Sequence, residues 1–202
     1  MSTRVRIFLG LGIALAGCSA PSATIQNPAP GVGHNGVVER TYTLSIHGIA
    51  NSQMDLSGSV SSIPVAGTDA GLQGYTVEAA TIGKRINWLV GYSDRTLEEG
   101  VNFVEINGGA MLHLRSRGTW IPYLIGTLRY SQGLDFPTSP ASTSADFFGW
   151  AGGVGVRHHS TDRFFLDLRI TYEGVLEDID AGLTRNLNMQ GLLATIGAGF
   201  SF

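Results

Sequence analysis

Lysine is almost missing from this chain of 202 residues; Lys84 is the only one. Charged residues make up 14% of the chain, cysteine occurs once, at Cys18, and no internal run of eighteen or more apolar residues exists. Each scarcity excludes something. Nucleic-acid binding needs a basic face, and the formal charge is −3, so no nucleic-acid partner is expected. One cysteine cannot build a disulfide framework. Without a long apolar run there is no helix to span a membrane. Yet 43% of the residues are hydrophobic and 28 are glycine. Apolar residues spread thinly through Gly-rich segments fit a β-barrel in lipid, where only every second side chain of a strand meets acyl chains.

The stretch from Leu192 to Phe202, LLATIGAGFSF, carries that pattern. Leu192, Ala194, Ile196, Ala198, Phe200 and Phe202 alternate with mostly small or polar residues, a period of two that marks a strand with one apolar face. The stretch resembles the C-terminal strand of bacterial outer-membrane β-barrels. In that family a terminal Phe is part of the signal read by the barrel-insertion machinery, which the resemblance assigns here to Phe200 and Phe202.

The opposite end reads as an address. Arg4 and Arg6 precede an apolar run of eleven residues, Ile7 to Gly17, a secretory signal too short to span as a stable helix. Its end, Leu15-Ala16-Gly17-Cys18, is similar to the lipobox of bacterial lipoproteins. The resemblance makes residues 1–17 a lipoprotein-type signal peptide and Cys18 an acylated mature N-terminus, a firm anchor because each buried CH2 adds about 0.8 kcal/mol. Ser19, in place of an Asp, implies sorting to the outer membrane. The rival reading is ordinary cleavage after a small residue such as Ala20, with Cys18 discarded. Residues 18–38, rich in Pro, Gly, Ser and Asn, read as a flexible periplasmic linker. Gly31 to Gly36 formally matches GxGxxG, but a dinucleotide site needs a strand before it and a helix after it; here Pro28 and Pro30 precede it and strand-like residues follow.

From residue 39 onward eight strands are expected, near 39–49, 72–82, 86–95, 101–114, 119–131, 147–158, 164–174 and 188–202, each close to the length a tilted membrane strand needs. Leu44 and Ile46 alternate with Ser45 and His47, Tyr75 and Val77 with Thr76 and Glu78, and Leu166, Leu168 and Ile170 with Asp167 and Arg169. The fifth strand is ambiguous; Arg129 inward places Leu124, Leu128 and Tyr130 outward. Short turns (83–85, 115–118, 160–163) alternate with longer connections (50–71, 132–146, 175–187, and the shorter 96–100). An even strand count with that alternation gives an all-β, eight-stranded antiparallel transmembrane up-and-down β-barrel, with both ends periplasmic and the long loops outside. The short turns carry Lys84, Arg85, Arg115, Arg117 and Arg163, and the long loops carry Asp55, Asp69, Asp135, Glu177, Asp178 and Asp180.

Residues Phe148 to Tyr172, FGWAGGVGVRHHSTDRFFLDLRITY, resemble the strand-turn-strand unit of the OmpA-like and opacity-type small outer-membrane barrels. With Pro122-Tyr123 and Phe202 the similarity spans residues 39–202. It is specific for architecture, not for activity, and the lipobox departs from the usual pattern of those families.

Candidate chemistry is sparse. The inward set His47, Glu78, Glu105, His113, Arg129, Arg157, Asp167, Arg169 and Glu173 suggests a salt-bridged plug, because buried charges must be paired; Glu105 with Arg129 is one candidate pair. The rival is a narrow ion path. His158-His159-Ser160 has the His-x-Ser spacing of lipid A deacylases, with Glu173 as a distant acid, but topology sets the turn and the acid at opposite ends of a strand. Glu177-Asp178-Ile179-Asp180 lacks the spacing of a calcium loop. Trp88, Trp120 and Trp150, with Tyr42, Tyr75, Tyr92, Tyr130 and Tyr172, read as girdle aromatics. The expectation is therefore a structural or surface-interaction role without catalysis, cofactor or metal. The partners are outer-membrane lipids, the insertion machinery and a possible ligand of loops 50–71, 132–146 and 175–187. A small channel is the first alternative and a lipid-modifying enzyme the second.

Overall fold

The computed structural model describes residues 42–60, 63–83, 85–97, 101–115, 118–135, 145–177, 179–181 and 184–202. The signal peptide, Cys18, the linker and the GxGxxG match lie outside the described residues. Ten strands form: β1 Tyr42–Val60, β2 Ile63–Ala70, β3 Leu72–Thr81, β4 Ile86–Leu97, β5 Asn102–His113, β6 Trp120–Asp135, β7 Ala145–His159, β8 Phe164–Val175, β9 Ile179–Ala181 and β10 Thr184–Ser201. Eight of them close a ring in the order β1, β3, β4, β5, β6, β7, β8, β10, with β10 returning to β1 and every pairing antiparallel. The seam is completed by two backbone hydrogen bonds, Tyr42 N–H to the Phe202 carbonyl at 3.2 Å and Phe202 N–H to the Tyr42 carbonyl at 3.0 Å. Closure leaves the ring without an edge, which is what a sheet in hydrocarbon requires. Among the described residues no helix is long and apolar enough to cross a membrane.

Alternation decides which way each side chain points. Along β8, Phe164, Leu166, Leu168, Ile170 and Tyr172 are exposed while Phe165, Asp167, Arg169, Thr171 and Glu173 are buried. The expected faces hold on the other strands too, and β6 turns Arg129 inward and Leu124 and Leu128 outward. The molecule is thus inside out, apolar where a soluble protein meets water and polar within. Trp88 and Leu128 are 64% and 65% exposed. So continuous an apolar belt is incompatible with water as its solvent and suits acyl chains.

The short turns gather at the end that holds Tyr42 and Phe202, called here the turn end. In the β7–β8 turn the Ser160 N–H donates to the Phe164 carbonyl at 3.1 Å, and the Phe164 N–H to Thr161 Oγ1 at 2.9 Å. Between β5 and β6, Gly118 takes φ +113°, which disfavours any side chain.

The opposite, loop end departs from expectation. Segments 50–71 and 175–187, anticipated as loops, are largely strand where described, and 132–146 is strand at 132–135 and 145–146. β1 continues to Val60 and pairs with β2 and the start of β10; β6 runs to Asp135, and β9 sits beside β10. In β1 the cause is a bulge. The register between β1 and β10 slips between Ile49 and Asn51, and one extra residue flips the facing of everything after it. Thr43, Ser45 and His47 point inward before it, and Met54 is the buried residue after it. The broken alternation makes a continuing strand read as a loop. Ser52 pins the kink: its Oγ accepts from the Leu72 N–H at 2.6 Å and donates to the Leu72 carbonyl at 3.1 Å.

Candidate functional site: a sealed, charged lumen

The inward positions bring together four arginines (Arg95, Arg129, Arg157 and Arg169) and four carboxylates (Glu78, Glu105, Asp167 and Glu173), all buried. The charges balance within two clusters. Nearer the loop end, Arg95 from β4 lies 2.6 Å through Nη1 from Glu173 Oε2, and its Nε is 2.9 Å from Glu105 Oε2. Arg129 from β6 bonds the same Glu173 oxygen and stands 3.4 Å from Glu105 Oε1. Ser131 Oγ donates to Glu105 at 2.9 Å. Two guanidinium groups thus grip two carboxylates on four strands. The expected Glu105–Arg129 pair is present, though Glu173 is the closer partner.

Nearer the turn end, Arg169 forks onto Glu78, Nη1 to Oε1 at 2.8 Å and Nη2 to Oε2 at 3.0 Å. This bidentate geometry is the strongest an arginine offers a carboxylate. Its Nε donates to the Tyr123 hydroxyl at 3.1 Å, and that hydroxyl donates to Asp167. Arg157 Nε donates to Asp167 at 3.2 Å, and its guanidinium lies over the Phe165 ring, 4.0 Å from the centroid. His47 closes the cluster, 3.6 Å from Glu78 and 3.0 Å from Ser45 Oγ.

Glycines make room for these side chains. A Cβ on Gly155 would lie 2.3 Å from the Tyr123 ring, one on Gly197 2.4 Å from His47 Nδ1, and one on Gly199 2.2 Å from the Phe165 ring. The Gly-alternating strands are therefore the sockets for large side chains on neighbouring strands.

Between the clusters lies a polar void of about 30 Å3. Its walls include His47, Arg95, Asn107, Arg129 and Thr195. Four of them contribute a buried polar atom that finds no hydrogen-bond partner in the protein: His47 Nδ1, Asn107 Oδ1, Arg129 Nε and Thr195 Oγ1. The space admits about two waters, which suit such atoms, and it is far smaller than a pore. On the loop side the lumen is stoppered by an apolar cluster that includes Met54, Leu97, Phe103, Phe147, Ile179 and Leu193. Toward the turn end Met111 and Tyr123, both almost fully buried, pack with Leu89 and Ile125.

Every expected inward charge is in the lumen, and His113 is half-buried at its turn-end mouth. Arg95 and Tyr123 are the functional residues the sequence reading missed. Arg95 has the parity of Asn87, Leu89 and Ser93 on β4, and Tyr123 that of Arg129 on β6, so the alternation carried the signal. The His158-His159-Ser160 grouping is not assembled with an acid. Ser160 is in an exposed turn, while Glu173 is held by Arg95 and Arg129 at the far end of β8, about 30 Å along the strand at 3.3 Å per residue. Among the described residues no group of three His, Cys, Asp or Glu side chains could hold a metal; Asp178 lies outside the described residues.

Phe200 and Phe202 project outward at the turn end, and the Phe202 ring lies 6.3 Å from that of Tyr42. Trp88 and Trp120 share that end. At the other end Trp150 pairs with Tyr172 at 5.9 Å and Tyr130 with Phe148 at 5.0 Å, so the aromatics form two girdles.

No protein-family model matches the chain, and no curated protein matches it by sequence. Solved structures do match. Neisserial surface protein A, NspA, is 15% identical, aligned over 80% of this chain and 97% of that one with a TM-score of 0.59. The outer membrane protein OprG of Pseudomonas aeruginosa is 12% identical, over 81% of this chain and 96% of that one with a TM-score of 0.53. At such identities the likeness speaks for the fold: a closed, eight-stranded, all-antiparallel β-barrel of the kind found in outer-membrane proteins.

Proposed function

We propose that this chain is an outer-membrane β-barrel with a structural or surface-interaction role, acting through the β-ridge and connections at its loop end rather than through its lumen. The observation that carries this reading is the plug: eight balanced charges, a void for about two waters and an apolar stopper fill the space a channel would need. An eight-stranded barrel has an interior that side chains can fill. The apolar belt supports the membrane, and the likeness to OprG, an outer membrane protein by name, supports which membrane. In this reading the turn end and both termini are periplasmic, Phe200 and Phe202 present the insertion signal, and an acylated Cys18 adds a tether through the linker.

Purified barrel in planar bilayers tests it. The expected trace is flat at the level of protein-free lipid; stable, voltage-resolved conductance steps would favour the small-channel reading instead. Proteinase K applied to intact cells should cut within segments 50–71, 132–146 and 175–187 and spare the short turns. Palmitate incorporation by the wild-type chain and not by Cys18→Ala is the expected result for the anchor.

A further inference from the structure

We infer that the turn end of the barrel is a binding surface for anionic phospholipid headgroups, with an exposed arginine on every hairpin. This rests on the membrane reading above and adds the lipid class and the leaflet. Three short turns close the turn end, and each presents an exposed arginine: Arg85 between β3 and β4, Arg115 between β5 and β6, Arg163 between β7 and β8. Each stands directly beside a lipid-facing apolar side chain. Ile86 follows Arg85, with Trp88 two residues further on; Leu114 precedes Arg115; Phe164 follows Arg163. A guanidinium at the rim of an acyl-facing surface sits at the depth of a phosphodiester, and its planar fork suits phosphate oxygens.

The opposite rim has the other sign. Asp55, Asp146 and Glu177 are exposed there, and Asp94 is half-exposed. Arg95 and Arg129, in the loop-end half of the barrel, turn into the lumen to hold carboxylates, and Arg185, opposite Ser59 in the β1–β10 ladder, is a further arginine of that end. The turn end thus displays three arginines on its outside in addition to Arg157 and Arg169 within, while the exposed charges at the loop end are carboxylates. A phosphate-rich leaflet is more complementary to the turn end than to the loop end.

The three tryptophans of the chain are placed to report on this. Trp88 and Trp120 lie at the turn end, and Trp120 stacks on His158 with ring centroids 4.3 Å apart. Trp150 is eight residues further up β7, about 26 Å along the strand at 3.3 Å per residue. Trp150→Phe therefore isolates the turn-end pair, and the double variant Trp88→Phe, Trp120→Phe isolates the loop-end reporter. Each is reconstituted in vesicles of brominated phosphatidylglycerol, brominated phosphatidylcholine or their mixtures, and quenching of tryptophan emission gives the relative affinity of the two lipids at each end.

At the turn-end pair, phosphatidylglycerol is expected to outcompete phosphatidylcholine by about fivefold per engaged arginine at low salt. The preference should fade in molar salt and weaken severalfold when Arg85→Gln, Arg115→Gln and Arg163→Gln are combined, with Lys84 and Arg117 of the same turns left in place. These side chains are exposed and outside the lumen network, so that variant keeps its heat-modifiable fold. Trp150 should show no such preference. Equal quenching by both lipids at the turn end, or a preference undiminished in the triple variant, overturns the inference while leaving the membrane reading intact. No quenching by either lipid at any tryptophan overturns the membrane reading itself.

Discussion

Arg169→Met is the sharpest test of the plug. The side chain makes the two-pronged bond to Glu78 at 2.8 and 3.0 Å and a third bond to the Tyr123 hydroxyl at 3.1 Å, and it is almost fully buried. Methionine matches its length and removes its charge. Glu78 is then left buried with only His47, 3.6 Å away, as a nearby partner. Stranding one member of a buried ion pair costs about 3–5 kcal/mol. Glu78→Leu alone should cost less, because Arg169 keeps the Tyr123 hydroxyl and Asp167, whose Oδ1 is 4.0 Å from Nη2. The double variant Arg169→Met, Glu78→Leu removes both charges and should recover about 2 kcal/mol or more of the loss, since apolar replacement of a buried pair is often neutral. Urea unfolding of vesicle-reconstituted barrel, followed by tryptophan emission and by the heat-modifiable gel shift, measures all three. A loss below about 1 kcal/mol for Arg169→Met, or a double variant no more stable than that single one, would refute the view that mutual pairing holds these charges.

Gly155→Ala should destabilise by about 1–3 kcal/mol through overpacking, because its Cβ would enter the Tyr123 ring, whereas Gly126→Ala, with nothing within 4 Å of its Cβ, should be near neutral in the same assay. Ile170→Arg places a charge on the outward face near the middle of β8 and should cost about 2–4 kcal/mol in bilayers; a neutral effect there would mean water, not lipid, solvates that face. Phe202→Ala should lower the heat-modifiable fraction recovered from membranes relative to wild type; full assembly in its absence would remove Phe202 from the insertion signal.

The ring of strands was legible because lipid and lumen impose opposite demands on successive residues, and period two survives in the sequence wherever the ladder is regular. It failed where the ladder is irregular. The bulge after Ile49 inverted the parity, so Met54 and the rest of the ridge read as a polar loop, and with them went the apolar stopper. Arg95 was missed although it is the last residue of the expected strand 86–95 and shares the parity of Asn87, Leu89 and Ser93. Ion-pair partners were mostly beyond reach. Arg169 and Glu78 are 91 residues apart, and Arg95 and Glu173 are 78; nothing local records a contact across the lumen between strands that are not neighbours. Glu105 and Arg129 were within reach because β5 and β6 are adjacent, joined by a short turn.

The lumen raises a question that its stability does not answer. An interior of leucines would fill the same space without four buried ion pairs, and such replacements are often no less stable. On the outer-membrane reading proposed above, the route to that membrane supplies a reason. β8 reads FFLDLRITYEGV; leucine at Asp167, Arg169 and Glu173 would turn it into an almost unbroken apolar segment, and the other strands would follow. A translocating chain with such segments risks being held in the first membrane it meets, where each central Asp or Arg adds about 2.5–3.5 kcal/mol against retention. Inward charges keep β3 to β8 too polar to stop as helices, while the outward half keeps them apolar enough to settle as a barrel. The charges must then be neutralised once the barrel closes, and mutual pairing across the lumen does so without opening a water-filled path. On that reading the plug is what an exported barrel of this width does with the charges that let it be exported, and recognition falls to the outer surface rather than to the lumen.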